Sequence, residues 1–146
     1  YNLHIMLRFE IERGLLLGTV RPADTPALWK ERMEQYVGVR PDTDADGVLQ
    51  DIHWSGGMIG YFPTYSLGNL YAAQFLAAAR KAIPDLDERI WRGDLRGLLA
   101  WLRTNIHAHG MTWRAPELVE KVTGEAPNPD YLVSYLERKY AEVYGI

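Results

Sequence analysis

The chain has 146 residues, 47% of them hydrophobic and 24% charged, with a formal net charge of −3 and no cysteine. That balance supports a folded, soluble core and excludes a disordered chain; the 16 basic residues are scattered, so nothing marks a nucleic-acid surface. The lack of cysteine removes both a disulfide framework and a thiolate metal site, which suits a reducing cytoplasmic setting, and no apolar run reaches the roughly 18 to 20 residues that span a bilayer, so no membrane partner is expected.

Residues 2 to about 17 place Leu3, Met6, Leu7, Phe9 and Ile11 among Asn2, His4, Arg8 and Glu12. The last three polar residues recur at i, i+4, which predicts a helix with a broad buried side and a polar stripe, solvated or packed. The first residue is not methionine and already lies in this pattern, so the chain reads as part of a longer one. Gly14 and Gly18 loosen the helix end, and a turn through Arg21-Pro22-Ala23-Asp24 leads to a second helix running to about Val37, with Thr25 as N-cap, Pro26 at the first helical position, and Leu28, Met33 and Val37 inward.

The Pro-, Gly- and Asp-rich stretch from Gly38 to Asp46 predicts a loop, followed by a short helical turn over 46–49. The only segment that could form a strand is 49–54. Gly56, Gly57 and Gly60 then give the backbone freedom, and Pro63 pre-sets the first turn of a long helix to about Ile83, whose Gly68, Ala72, Ala73 and Ala77 to Ala79 allow close packing. Further helices are expected over 86–91, from Asp94 to about His107 with Leu95, Leu98, Leu99 and Leu102 buried, from Pro116 to before Gly124, and from the Asn128-Pro129-Asp130 cap to Gly145, with Leu132, Tyr135, Leu136, Tyr140 and Val143 on its apolar face. The fold class is all-α with one short strand at most, a single helical segment over 1–146 without internal boundary.

Three of the four histidines have ordinary readings. His107 and His109 are two residues apart, on different sides of a helix, and cannot share one ion unless the helix has ended before them. His4 belongs to the polar stripe. His53 follows Asp51 by two residues, so in an extended segment the carboxylate could orient the imidazole; a buried structural histidine fits the local pattern as well. Tyr61 and Tyr65 are four apart, and Tyr65 falls in the first turn of the long helix, where a phenol meets the positive end of the helix dipole; two core tyrosines are the alternative. The run Gly56-Gly57-Met58-Ile59-Gly60 lacks the Lys-Ser/Thr ending of a phosphate-binding loop and suits a flexible loop that admits substrate.

Gly47-x-x-Gln50-Asp51-x-His53-Trp54, continued by Gly60-Tyr61-Phe62-Pro63-Thr64-Tyr65-x-Leu67-Gly68-Asn69, resembles the signature of the Taq-type thermostable zinc carboxypeptidases. The likeness extends from Tyr1-Asn2-Leu3-His4-Ile5 through Ile106-His107-x-His109-Gly110 to Tyr140-Ala141-Glu142-Val143-Tyr144-Gly145, and the chain looks like the C-terminal part of such an enzyme.

The resemblance implies a larger helical zinc-peptidase fold, a homodimer, peptide substrates and a divalent ion, zinc, held by H-E-x-x-H plus a downstream glutamate. Neither that motif nor the family's I-R-x-x-A-D motif is present, so this chain is expected to hold no metal and to be inactive by itself. By analogy with related helical zinc peptidases, His53 and Tyr65 would donate to the tetrahedral oxyanion or the substrate backbone, Tyr61 would line the pocket, and Gln50 and Asp51 would bind substrate or orient those donors. The alternative of another class is a non-catalytic helical interaction or scaffold domain.

Overall fold

The computed structural model describes residues 1–146 as helices joined by loops, with no strand, in two compact units, 1–67 and 68–146.

In the first unit, helix α1 spans Asn2–Leu16 and helix α2 spans Thr25–Val37. Their facing apolar sides bury Leu7, Ile11 and Trp29, with Leu15, Leu28, Met33, Tyr36, Val48 and Trp54 packed around them. Gly14 makes the turn after α1 possible: a Cβ there would lie 2.6 Å from Val20 Cγ2, and the Gly14 carbonyl accepts the N–H groups of Thr19 and Val20. Thr25 is not the N-cap of α2 but its first residue; a 3₁₀ turn over Pro22–Asp24 runs straight into the helix, moving the boundary to Asp24 and Pro26 to the second helical position. Gly38 ends α2 in the left-handed region, which leaves Val37 exposed.

No strand forms over 49–54. A 3₁₀ turn occupies Val48–Gln50, and the Asp51 side chain then takes the N–H groups of both His53 and Trp54, donors that a ladder would need. The chain turns instead of extending, and the glycine-rich loop carries it to helix α3, Phe62–Ala82.

The second unit contains the rest of α3 with α4 (Leu86–Trp91), α5 (Arg96–Asn105), α6 (Ala115–Thr123) and α7 (Asp130–Tyr144). Its buried residues include Gln74, Ala79, Leu86 and Val119. The Gln74 amide is a joint: Nε2 donates to Thr123 Oγ1 and to the carbonyls of Glu125 and Ala126, while Oε1 accepts the Asn128 N–H. Asn128 Oδ1 in turn accepts the N–H of Asp130, the first residue of α7. Helix α5 is shorter than its periodicity predicts. Asp94 holds the Arg96 guanidinium ahead of the helix, Leu95 lies outside it, and Leu95 and Leu99 are exposed while Leu98 and Leu102 are half-buried. The apolar face of α7 is likewise divided, with Leu132, Tyr135 and Leu136 half-buried and Tyr140 and Val143 exposed. No helix is long and apolar enough to cross a membrane.

Candidate active site

The site lies wholly in the first unit and starts from Asp51. This residue leaves the 3₁₀ turn in an extended conformation (φ −78°, ψ 123°), and its side chain is fully buried. Oδ1 accepts the His53 N–H at 2.9 Å and the Trp54 N–H at 3.1 Å, leaving Oδ2 3.1 Å from His53 Nδ1. The carboxylate therefore shapes the turn with one oxygen and orients the imidazole with the other. The expected Asp51–His53 contact is present, made by a side-chain-capped turn where a strand had been the anticipated route.

On the far side of the ring, His53 Nε2 lies 2.9 Å from Tyr65 Oη. An ionised carboxylate only accepts, so Nδ1 carries the proton toward Asp51. A neutral ring then accepts the Tyr65 O–H at Nε2. A doubly protonated ring donates from Nε2 to the phenol oxygen and frees the phenol proton for another acceptor. Three aromatic rings hold the imidazole in place: Phe62 with centroids 4.9 Å apart, Tyr65 edge-on at 5.7 Å and Tyr61 stacked at 6.1 Å. Loss of solvation, followed by the neighbouring Tyr61, raises the Tyr65 phenol above its usual acidity range, so it stays a proton carrier well past neutrality.

Helix α1 supplies two charged residues whose position the periodicity alone does not reveal. Arg8 Nε lies 3.4 Å from Asp51 Oδ2 with both side chains largely buried, an ion pair whose Nε lacks an aligned hydrogen bond. The guanidinium carbon sits 5.2 Å from the Trp29 ring centre and 5.9 Å from that of Phe62. Burial lowers the Arg8 pKa and Asp51 works against that fall. Glu12, 3% exposed, accepts the Trp54 indole N–H at 3.1 Å and the Gly60 backbone N–H at 2.8 Å. The stripe His4-Arg8-Glu12 is thus packed beneath the loop. His4 completes it edge-on to Trp29 at 5.9 Å, its pKa lowered by burial and then by Arg8. The signal in the sequence was a basic and an acidic residue one turn apart on a helix that also carries the core.

Of the remaining sequence candidates, Tyr61 is 44% exposed and meets Tyr65 edge-on at 5.2 Å, so it is the ring of this group most open to a ligand. Gln50 is exposed and turned the other way, its amide donating to the Ala45 carbonyl and closing the preceding loop. The structure brings together Asp51, His53, Tyr61 and Tyr65, and not Gln50. His107 and His109 occupy a 3₁₀ turn beyond α5, where His109 packs on Trp113 with centroids 4.5 Å apart.

The site is thus an imidazole held between a buried carboxylate and a phenol, next to an exposed aromatic ring. Residues 1–140 match the family model of the carboxypeptidase Taq (M32) metallopeptidases. The chain belongs to this family. It is 50% identical over 145 residues to thermostable carboxypeptidase 1 of Thermus thermophilus and 40% identical over 144 residues to carboxypeptidase 1 of Bacillus subtilis, each match taking in 99% of this chain. Among solved structures, the M32 carboxypeptidase from Deinococcus radiodurans R1 superposes with a TM-score of 0.94 at 44% identity, over all of this chain and 30% of that one. Metallocarboxypeptidase 1 of Trypanosoma cruzi gives 0.91 at 44% identity, over 96% of this chain and 30% of that one. The chain spans 28% and 29% of the length of the two curated relatives.

The family implies a divalent metal. The residues of this chain do not fit one: no three His, Asp or Glu side chains converge as ligands, and both nitrogens of His53 are engaged, by Asp51 and by Tyr65. The chemistry of these residues is that of their own donors.

Proposed function

We propose that these 146 residues are one contiguous part of the catalytic domain of a metallocarboxypeptidase, an enzyme that releases C-terminal amino acids from peptides. The divalent ion, zinc, would be held by residues outside this chain and would supply activation of the attacking water, and the segment alone releases no amino acid. Its contribution is hydrogen bonding. When the scissile carbonyl becomes tetrahedral, its oxygen gains negative charge, and prearranged donors stabilise that charge without reorganising at the moment of reaction. His53 and Tyr65 form one donor unit: Asp51 fixes the imidazole proton on Nδ1, Nε2 positions the phenol, the Tyr65 O–H turns to the oxyanion, and Tyr61 lines the pocket and contacts the substrate.

The observation that carries this reading is the continuous hydrogen-bonded chain from Asp51 Oδ2 through His53 to Tyr65 Oη, with links of 3.1 Å and 2.9 Å. A core histidine needs one partner per nitrogen and no more. Here the partners are a buried carboxylate with its own arginine and a phenol beside an exposed ring, a costly arrangement for packing alone. Gln50 supports the pocket indirectly, by closing the loop that leads to Asp51.

The parent protein is read as a homodimer working in the cytoplasm, a reading that rests on the family resemblance and, for the compartment, on the absence of cysteine. The test is release of free amino acid by the full-length protein from an N-blocked dipeptide and from the same dipeptide amidated at its C-terminus. Release from the free carboxylate alone is expected; no release from either, in enzyme loaded with divalent metal, contradicts the proposal.

A further inference from the structure

We infer that Glu12 is a positioning residue that sets the spacing of His53 and Tyr65 by clasping the two ends of the glycine-rich loop. The inference rests on the donor role proposed above. His53 lies just before the loop and Tyr65 in the first turn of α3 just after it, so their separation depends on how the chain between them is closed. The hydrogen bonds made by residues 55–59 run only to residues 52–57, and these residues are exposed. The closure comes from α1: Glu12 Oε2 holds the Trp54 indole N–H and Oε1 holds the Gly60 N–H, across 42 and 48 residues of sequence.

The side chain type follows from the donors. Two N–H groups arrive from opposite ends of the loop at one buried point, and each requires an acceptor oxygen. Glutamine of the same shape offers one oxygen and places an NH₂ against the second donor. A carboxylate offers both oxygens, at the expense of burying a charge that N–H donors satisfy where a cation would ordinarily stand. Gly60 suits the other side of the clasp, since its positive φ of 77° turns the chain toward α3 while its N–H points back to Glu12.

A residue that acts through the donor pair affects turnover more than binding. In the full-length, metal-loaded protein, Glu12→Gln is expected to raise the exchange rate of the Gly60 amide or of the Trp54 indole N–H, whichever faces the new NH₂, about 10-fold or more, and to lower kcat about 10-fold or more with KM changed less than about twofold. Combined with Tyr65→Phe, it should add less than about a twofold further loss, because both act on one unit. Trp54→Phe removes one donor and keeps an aromatic ring at that position, so it opens the loop at its first end even where Glu12→Gln fails to fold.

Wild-type exchange at both the Gly60 amide and the Trp54 indole N–H in Glu12→Gln, or wild-type exchange in the loop of Trp54→Phe, overturns the clasp. Faster exchange with unchanged kcat, or losses that multiply with Tyr65→Phe, overturns the positioning role. Wild-type turnover in Tyr65→Phe itself removes the donor reading beneath, and Gly60 exchange then decides the clasp independently.

Discussion

Asp51 divides its two carboxylate oxygens between the backbone and the imidazole of His53, so the group that builds the turn also aims the ring that the turn presents. Asp51→Asn tests that double duty. The amide keeps one oxygen for the backbone N–H groups and loses the charge that fixes the Nδ1 proton and pairs with Arg8. We expect kcat in the full-length protein to fall about 10²-fold and stability to fall by about 3 kcal/mol, because Arg8 is left largely buried without its counterion. Steady-state kinetics and chemical denaturation measure the two separately.

In the second unit, Gln74→Ala removes an amide that serves Thr123, the carbonyls of Glu125 and Ala126, and the Asn128 N–H together. Orphaned groups cost more than a surface hydrogen bond returns, so a loss of about 2 to 4 kcal/mol is expected. Faster amide exchange should be confined to the segment joining α6 and α7, with Asn128 the most affected.

The raised Tyr65 pKa gives a pH prediction of definite sign. A folded pKa above the ordinary 10.0 means that the protonated phenol is favoured in the native state. The associated stabilisation is complete below that ordinary value and is lost only as pH rises through the higher folded one. Donation by Tyr65 should accordingly persist to the same limit. A kcat profile over about pH 8 to 11 should show an alkaline loss beginning above about pH 10 that disappears in Tyr65→Phe; a Tyr65-dependent loss centred near pH 8 would contradict the assignment.

Much of the fold was legible because it is written at short range. Helical periodicity, Pro63 and the glycines after α2 and α7 act within a few residues of the structure they determine. The place of Tyr65 in the first turn of α3 followed from the same local spacing, whereas the Asp51–His53 contact, expected from an extended segment, is made by a capped turn. What remained hidden depends on distant partners. Glu12 gains its meaning from Trp54 and Gly60, and Gln74 from residues about fifty positions on. The possible strand over 49–54 does not form because one side chain, Asp51, takes over the backbone donors. The burial of Leu95 and Leu99 failed because periodicity identifies an apolar face without saying whether anything covers it.

The donor wall itself is tested most directly by kcat for hydrolysis of an N-blocked dipeptide in the full-length, metal-loaded protein carrying His53→Ala, Tyr65→Phe, or both. Each single change is expected to lower kcat by about 10²-fold or more, and the pair to lose little beyond the larger single effect, because the two side chains act as one hydrogen-bonded unit. Wild-type turnover in both single variants would return His53 and Tyr65 to the packed core and contradict the account.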